Sequence, residues 1–199
     1  NSVIQINSKS LSFYHKSKLV PGAEQLPFKK YLKYFLKGDF LRLAGGAGNL
    51  SVQDSISLLE FNENKIASLV CYESVFPNHV RKFVDKGAQA IFIITNDGWW
   101  GDSQGRKQHN SYARLRAIEN RRYVVRSANT GISSVINPLG YFEKMTEPNK
   151  TESFINSINL LSFKTFYVKY GNILIFIYLA TVLVLSIIRK NKNKDYGII

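Results

Sequence analysis

Leu69-Val70-Cys71-Tyr72-Glu73-Ser74-Val75-Phe76-Pro77 is the stretch that decides how this chain is read. It holds the only cysteine among 199 residues, at the point where an apolar run stops and a helix-start signal begins. Ile66 to Val70 reads as a buried strand. Pro77, with Val80, Phe83 and Val84 at helical spacing, reads as the opening of a helix that Gly87 ends. A thiol at such a junction is expected near unpaired backbone N–H groups and the positive end of a helix dipole. Both favour the thiolate, which is the nucleophile. Most free cysteines, however, are small buried apolar residues that pack in a core. The surrounding sequence must decide between the two.

Working outward, Val3–Ile6 and Leu11–Tyr14 read as strands around the turn Asn7-Ser8-Lys9-Ser10, and Val20-Pro21-Gly22-Ala23-Glu24 reads as a loop. Tyr31–Lys37 has the pattern of a short helix. Ala44-Gly45-Gly46-Ala47-Gly48-Asn49 is a glycine-rich turn without the Lys-Ser/Thr ending of a phosphate-binding loop. Ala90–Thr95 is a second buried strand that ends in Asn96-Asp97-Gly98-Trp99-Trp100-Gly101. Gln108–Arg122 is helical, with Tyr112, Leu115, Ile118 and Glu119 recurring at helical spacing. Tyr123–Ser127 and Ser133–Ile136 read as strands, and Asn137-Pro138-Leu139-Gly140 as a hairpin turn. Strands alternating with helices place the chain in the α/β class.

The net charge of +13 admits nucleic acid, an anionic membrane surface or acidic ligands as partners. Zinc-finger spacing and RNA-recognition signatures are absent and the charge is dispersed, which argues against nucleic acid. Gly171 to Ile188, GNILIFIYLATVLVLSII, carries no charged side chain and as a helix would rise roughly 27 Å, close to the hydrocarbon thickness. Tyr167 and Tyr170 flank one end. Arg189, Lys190, Lys192 and Lys194 flank the other, the side expected to face the cytoplasm. The expected division is therefore a globular part over 1–165, a transmembrane helix over 166–188 and a basic cytoplasmic tail over 189–199. One cysteine excludes an internal disulfide. The strand-like start at Asn1 reads as the carboxy-terminal part of a longer protein, cut inside a fold.

Three separated blocks follow one pattern. They are Tyr14-His15-Lys16-Ser17-Lys18-Leu19-Val20-Pro21 with Glu24, then Cys71-Tyr72-Glu73, then Thr95-Asn96-Asp97-Gly98-Trp99-Trp100-Gly101 followed by Gln108-His109 and Ala113-Arg114-Leu115-Arg116-Ala117-Ile118-Glu119. In this order they resemble the nitrilase (carbon–nitrogen hydrolase) superfamily, and more closely its membrane branch, the apolipoprotein N-acyltransferases. Arg126 to Ser133 and the approach Thr165-Phe166-Tyr167 to the final helix are similar to that branch too. The resemblance implies an α/β fold, a nitrilase-like α-β-β-α sandwich. Here the sandwich would be incomplete, lacking its amino-terminal part, and would be followed by one transmembrane helix. It implies a Glu–Lys–Cys triad with Cys71 as nucleophile and Lys16 as the lysine. Glu24 is its second glutamate, and Tyr72 and Glu73 support the nucleophile. The triad glutamate, which acts as general base, would lie upstream of Asn1. Two departures stand out: Pro21-Gly22-Ala23-Glu24 where Pro-Phe-Gly-Glu is more usual, and Gly105-Arg106-Lys107-Gln108 where a Gly-Pro form is more common.

The implied activity moves a fatty acyl chain from a phosphatidylethanolamine-like phospholipid, through a cysteine thioester, to the α-amine of the diacylglyceryl-cysteine of bacterial apolipoproteins. It calls for no cofactor or metal and no nucleic acid. The catalytic domain would sit on the periplasmic side of the cytoplasmic (inner) membrane. Alternatives are a membrane-tethered nitrilase-type amidase with water as acceptor, and a non-catalytic lipid- or lipoprotein-binding module. The 199-residue piece alone is expected to be inactive. Each residue also has a structural reading. Lys16 is one charge near Lys18, Glu24 can hold a loop, and Glu73 suits a first helical turn. Trp99 and Trp100 can be packing residues, but they follow a strand's carboxyl end, where α/β sites gather, and so are expected to line an acyl entrance. His109 is read as structural, without the partners of a metal site.

Overall fold

The computed structural model describes residues 1–7, 11–25, 52–101 and 103–195. The expected turn through 8–10, the helix at 31–37 and the glycine-rich turn at 44–49 lie outside the described residues.

Two strands, β1 (Ser2–Ile6) and β2 (Leu11–His15), pair antiparallel with Val3 opposite Tyr14. The main sheet has six strands in chain order: β3 (Leu59–Phe61), β4 (Asn64–Val70), β5 (Ala90–Thr95), β6 (Val124–Ala128), β7 (Ser134–Ile136) and β8 (Phe142–Met145). The central three are parallel and the outer pairs antiparallel. Parallel neighbours need a crossover longer than a hairpin. Helix α1 (Pro77–Asp85) supplies it from β4 to β5, and α2 (Gly105–Asn120) from β5 to β6. The α/β class read from the sequence is thus the observed one.

The apolar run AIFIIT suits a central parallel strand, which is flanked on both edges and needs little polar surface. Its alternate residues separate. Ile91 and Ile93 are buried in one core with Phe83, Val84, Ala113 and Ala117 from the two helices. Phe92 and Ile94, on the opposite face, are 37% and 48% exposed. Tyr14 enters the same core from β2 and meets Phe83 edge-on at 5.5 Å.

The sequence reading misses β3. Its turn into β4 uses Asn62 and Glu63, both with positive φ, without the Asn-Gly pair that normally announces such a hairpin. It also brings Cys71 too close to a helix start. The residues Cys71–Val75 form a separate 3₁₀ turn, and α1 begins only at Pro77.

Beyond the sheet, the chain is strapped across the helical side. Leu161 N–H donates to Gln89 O at 3.2 Å, and Arg122 Nη2 to Phe163 O at 2.7 Å. A short helix α3 (Phe166–Tyr170) is capped by Thr165, whose hydroxyl donates to Glu119 O at 2.9 Å. Arg81 Nη1 donates to Val168 O at 2.6 Å. Gly171 turns the chain with φ +59° into α4 (Ile173–Asp195). The stretch expected to span as 166–188 therefore divides at Gly171, and its helix runs on past Arg189 and Lys190. Ile173–Asn191 has a mean hydropathy of 2.2, which with its length makes it apolar enough to cross a membrane, and it is not buried among the described residues.

Candidate active site

The site gathers at the carboxyl ends of β4 and β5, where parallel sheets leave a crevice between diverging loops. β4 delivers Cys71. β5 delivers Asn96, Asp97 and the 3₁₀ turn Gly98–Trp100. Cys71, Tyr72, Glu24, Trp99 and Trp100 line one cavity of about 360 Å³, walled mainly by apolar groups, with Tyr112 of α2 on a further side. Trp99 is 81% exposed at its rim. Trp100 lies against Gly105, where a Cβ would come within 2.3 Å of the indole.

Cys71 has φ +53°, a left-handed backbone that costs a non-glycine residue about 1–2 kcal/mol. Such a conformation persists only where its surroundings hold it. Here α2 holds it. Three carbonyls of the five-residue turn accept from that helix: Cys71 O lies 3.2 Å from His109 Nε2, and Arg116 Nη1 donates to Ser74 O at 3.1 Å and Val75 O at 3.0 Å. Ser74 Oγ also donates to Cys71 O at 2.9 Å.

Lys16, immediately after β2, is 1% exposed. Its ammonium donates to both oxygens of Glu24, at 2.9 and 2.7 Å. Glu24 also accepts from Val20 N–H at 2.9 Å and from Asn1 Nδ2 at 2.6 Å. Burial pushes the Glu24 carboxyl up, but Lys16, the Val20 N–H and Asn1 outweigh it and hold the group below its ordinary value. Lys16 thus stands behind Glu24, and it is Glu24 that shares the cavity wall with the thiol.

Glu73 lies away from the cavity and is fully buried. One oxygen accepts from Tyr14 OH at 2.6 Å, Ser17 N–H at 2.7 Å and Ser17 Oγ at 2.9 Å. The other accepts from Val70 N–H at 2.8 Å. His79 Nε2 lies 3.3 Å from the first of these oxygens, Oε1. Burial raises this carboxyl, and His79, Tyr14 and the two backbone donors pull it below its ordinary value. Glu73 therefore ties the segment that carries Lys16 to the turn that carries Cys71. Tyr72 meets Phe76 edge-on at 5.1 Å and also lines the cavity.

The sequence reading missed the polar group beneath the turn. Asp97 Oδ1 accepts from His109 Nδ1 at 2.9 Å and from Thr95 Oγ1 at 3.0 Å, and Oδ2 accepts from Arg126 Nη2 at 2.5 Å. Arg126 also donates to Ile132 O. Asp97, His109 and Arg126 are all buried. Arg126 and His109 hold the Asp97 carboxyl down at about 2 despite its burial. A signal was present: Arg126 sits between inward-facing residues of a strand, and a buried guanidinium demands an acid.

The sequence profile of the carbon–nitrogen hydrolase family matches residues 1–161. An apolipoprotein N-acyltransferase of Geobacter metallireducens is 38% identical over 159 residues, covering 79% of this chain and 29% of the relative. The enzyme of that name from Rickettsia bellii is 37% identical over 175 residues, covering 86% and 34%. The chain thus spans about a third of the length of these curated relatives. Among solved structures, a cysteine-to-serine variant of the Nesterenkonia AN1 amidase of the nitrilase superfamily superposes with a TM-score of 0.50 at 19% identity, covering 69% of this chain and 47% of that one. That likeness concerns the fold. A cysteine at the carboxyl end of a parallel strand, a lysine–glutamate pair at its cavity, and the match over 1–161 lead to one assignment: the chain belongs to the carbon–nitrogen hydrolase family.

Proposed function

We propose that this chain is the carboxy-terminal part of an apolipoprotein N-acyltransferase. It would move a fatty acyl chain from a phospholipid to the α-amine of a diacylated lipoprotein cysteine. The observation that carries the reading is the shared cavity. Cys71 and the Lys16-bound Glu24 meet in an apolar recess edged by two tryptophans, on a chain whose α4 is apolar enough to enter a bilayer.

In this reading the Cys71 thiol gives its proton to the glutamate expected upstream. The sulfur attacks the ester carbonyl, and a C–S bond forms. The oxyanion is met by backbone N–H groups at the turn and, once a substrate draws it past Glu24, by the Lys16 ammonium; losing one such donor costs about 2.7–4 kcal/mol. Collapse breaks the ester C–O bond, and the lysophospholipid leaves with the proton. The lipoprotein amine then attacks the thioester, a C–N bond replaces the C–S bond, and the amine proton returns to sulfur through the same base. Glu24 holds Lys16 charged and in place. Tyr72 and Glu73 fix the turn, and Trp99 and Trp100 border the acyl entrance. The basic residues after the span, Arg189 and Lys190, favour a cytoplasmic tail. The catalytic domain then faces the periplasm from the inner membrane.

The test is intact mass of the complete protein after incubation with phosphatidylethanolamine vesicles. An increment of one fatty acyl group on Cys71, absent in Cys71→Ala and discharged by a diacylated lipopeptide, is the expected result. Discharge by water alone would mark an amidase-type hydrolase, and no adduct at all a binding module.

A further inference from the structure

The polar group beneath the nucleophile turn is more than filler for the core. His109 bridges the two sides of this group: Nδ1 lies 2.9 Å from Asp97 Oδ1 and 3.2 Å from Arg126 Nη2, and Nε2 lies 3.2 Å from both the Cys71 carbonyl oxygen and Ser74 Oγ. Among the described contacts, the ring meets the backbone carbonyl of Cys71 and the Ser74 hydroxyl that donates to the same carbonyl, and not the sulfur.

The clamp behind the ring is rigid. Asp97 is held by Arg126 and Thr95, and Gly131 packs so closely that a Cβ there would come within 2.3 Å of Asp97 Oδ2. The front of the clamp is one carbonyl, at the residue whose left-handed backbone is least able to hold itself. The 71–72 peptide is planar, so fixing the Cys71 carbonyl fixes the Tyr72 N–H in the opposite direction, and it holds ψ of Cys71, the torsion between that plane and the carbon that bears Sγ. We propose that His109, clamped by Asp97 and Arg126, is a positioning residue that grips the Cys71 carbonyl and so sets the aim of the nucleophile. This rests on Cys71 being the nucleophile.

The test compares His109→Gln with His109→Asn in the complete protein. Glutamine places an amide N–H where Nε2 was and keeps the grip on Cys71 O. Asparagine places it where Nδ1 was, keeping the Asp97 side and losing Cys71. The rate of Cys71 alkylation by iodoacetamide is read beside the rate of acyl-adduct formation from phosphatidylethanolamine vesicles, with thermal midpoints as the control for folding. In H109N both rates are expected to fall about 100-fold, the scale of a misplaced reacting group, while H109Q stays within about tenfold of wild type. Equal losses in the two variants, or no loss in either, overturn the assignment. Should H109N not fold, Ser74→Ala is measured instead, because it strips the second donor from the same oxygen. A fall of about tenfold supports the grip, and an unchanged rate overturns it. Alkylation needs no lipid, which separates the two readings. Ordered alkylation without any acyl adduct leaves the grip standing and rejects acyl transfer. Acylation that is indifferent to both variants does the reverse.

Discussion

The Tyr14 hydroxyl donates to Glu73 Oε1 at 2.6 Å, joining β2 to the turn that carries Cys71 across 59 residues of sequence. The same oxygen receives Ser17, the residue after Lys16. The distance between lysine and cysteine is therefore set by a third, fully buried residue that lies off the cavity. Glu73→Gln puts an amide N–H against these donors. It is expected to cost about 3–5 kcal/mol, as removal of one side of a buried charge network does, and to abolish acyl transfer. Tyr14→Phe removes one donor of several and should cost about 1.5–3 kcal/mol. Thermal midpoints in detergent check both; a Glu73→Gln protein as stable as wild type would reject this role.

Lys16→Ala and Glu24→Gln separate charge from architecture. Without Lys16 the oxyanion loses its cation, and acyl-adduct formation should fall about 10²–10³-fold. Glu24→Gln keeps the ammonium but loosens it, and is expected to fall less. If Lys16→Ala forms the adduct at the wild-type rate, the lysine has no part in the chemistry.

Asp97 gives the site an acid limit. Its pKa lies at about 2 in the fold against an ordinary 3.8. A depressed acid stabilises the fold fully above its ordinary value and loses that contribution as pH falls through the folded one. The contribution is about 2 kcal/mol and disappears between roughly pH 4 and 2. Asp97→Asn should flatten this part of the stability–pH curve, as followed by thermal melts; an unchanged acid limb in the variant would place the titration elsewhere.

The two tryptophans should behave differently. Trp99→Ala removes a ring at the rim and is expected to change stability by no more than about 0.5 kcal/mol. The KM for a long-chain phospholipid should nevertheless rise about tenfold, with little change for a short soluble ester. Gly105→Ala drives a methyl into the Trp100 ring and should cost about 1–3 kcal/mol or displace the indole, read as a shift in tryptophan fluorescence.

Gly171 is the joint between the strap and α4. Its positive φ lies where side chains are disfavoured, and an added Cβ would approach Arg81 at 3.3 Å. Gly171→Ala is expected to cost about 1–3 kcal/mol, seen as a lowered thermal midpoint of the catalytic domain. An unaltered midpoint would mean that the joint relaxes freely.

Much of this was legible in the residues. AIFIIT announces a buried strand by composition alone, and Pro77 and Gly87 punctuate α1 as expected. The cysteine, lysine and glutamate blocks stand out because each combines a reactive residue with a turn. What stayed hidden was pairing. Asp97, His109 and Arg126 come together only after α2 crosses from β5 to β6, and a sequence shows which residues are charged but not which charges the crossover brings face to face. The helix dipole assigned to Cys71 was misplaced for a similar reason. Tyr72 to Phe76 contains nothing that forbids a helix, yet Glu73 reaches back to Val70 N–H and winds the chain into a short 3₁₀ turn first.

His109 and Arg116 lie seven residues apart, two turns of α2, and so project along one side of it. Between them they grasp three oxygens of the turn that bears the sulfur. That turn is too short to be stiff by itself and borrows its stiffness from the rod beneath it. Softening the rod midway, at Ala113, would be felt at an atom some forty places earlier in the chain, with no change to any group that lines the cavity.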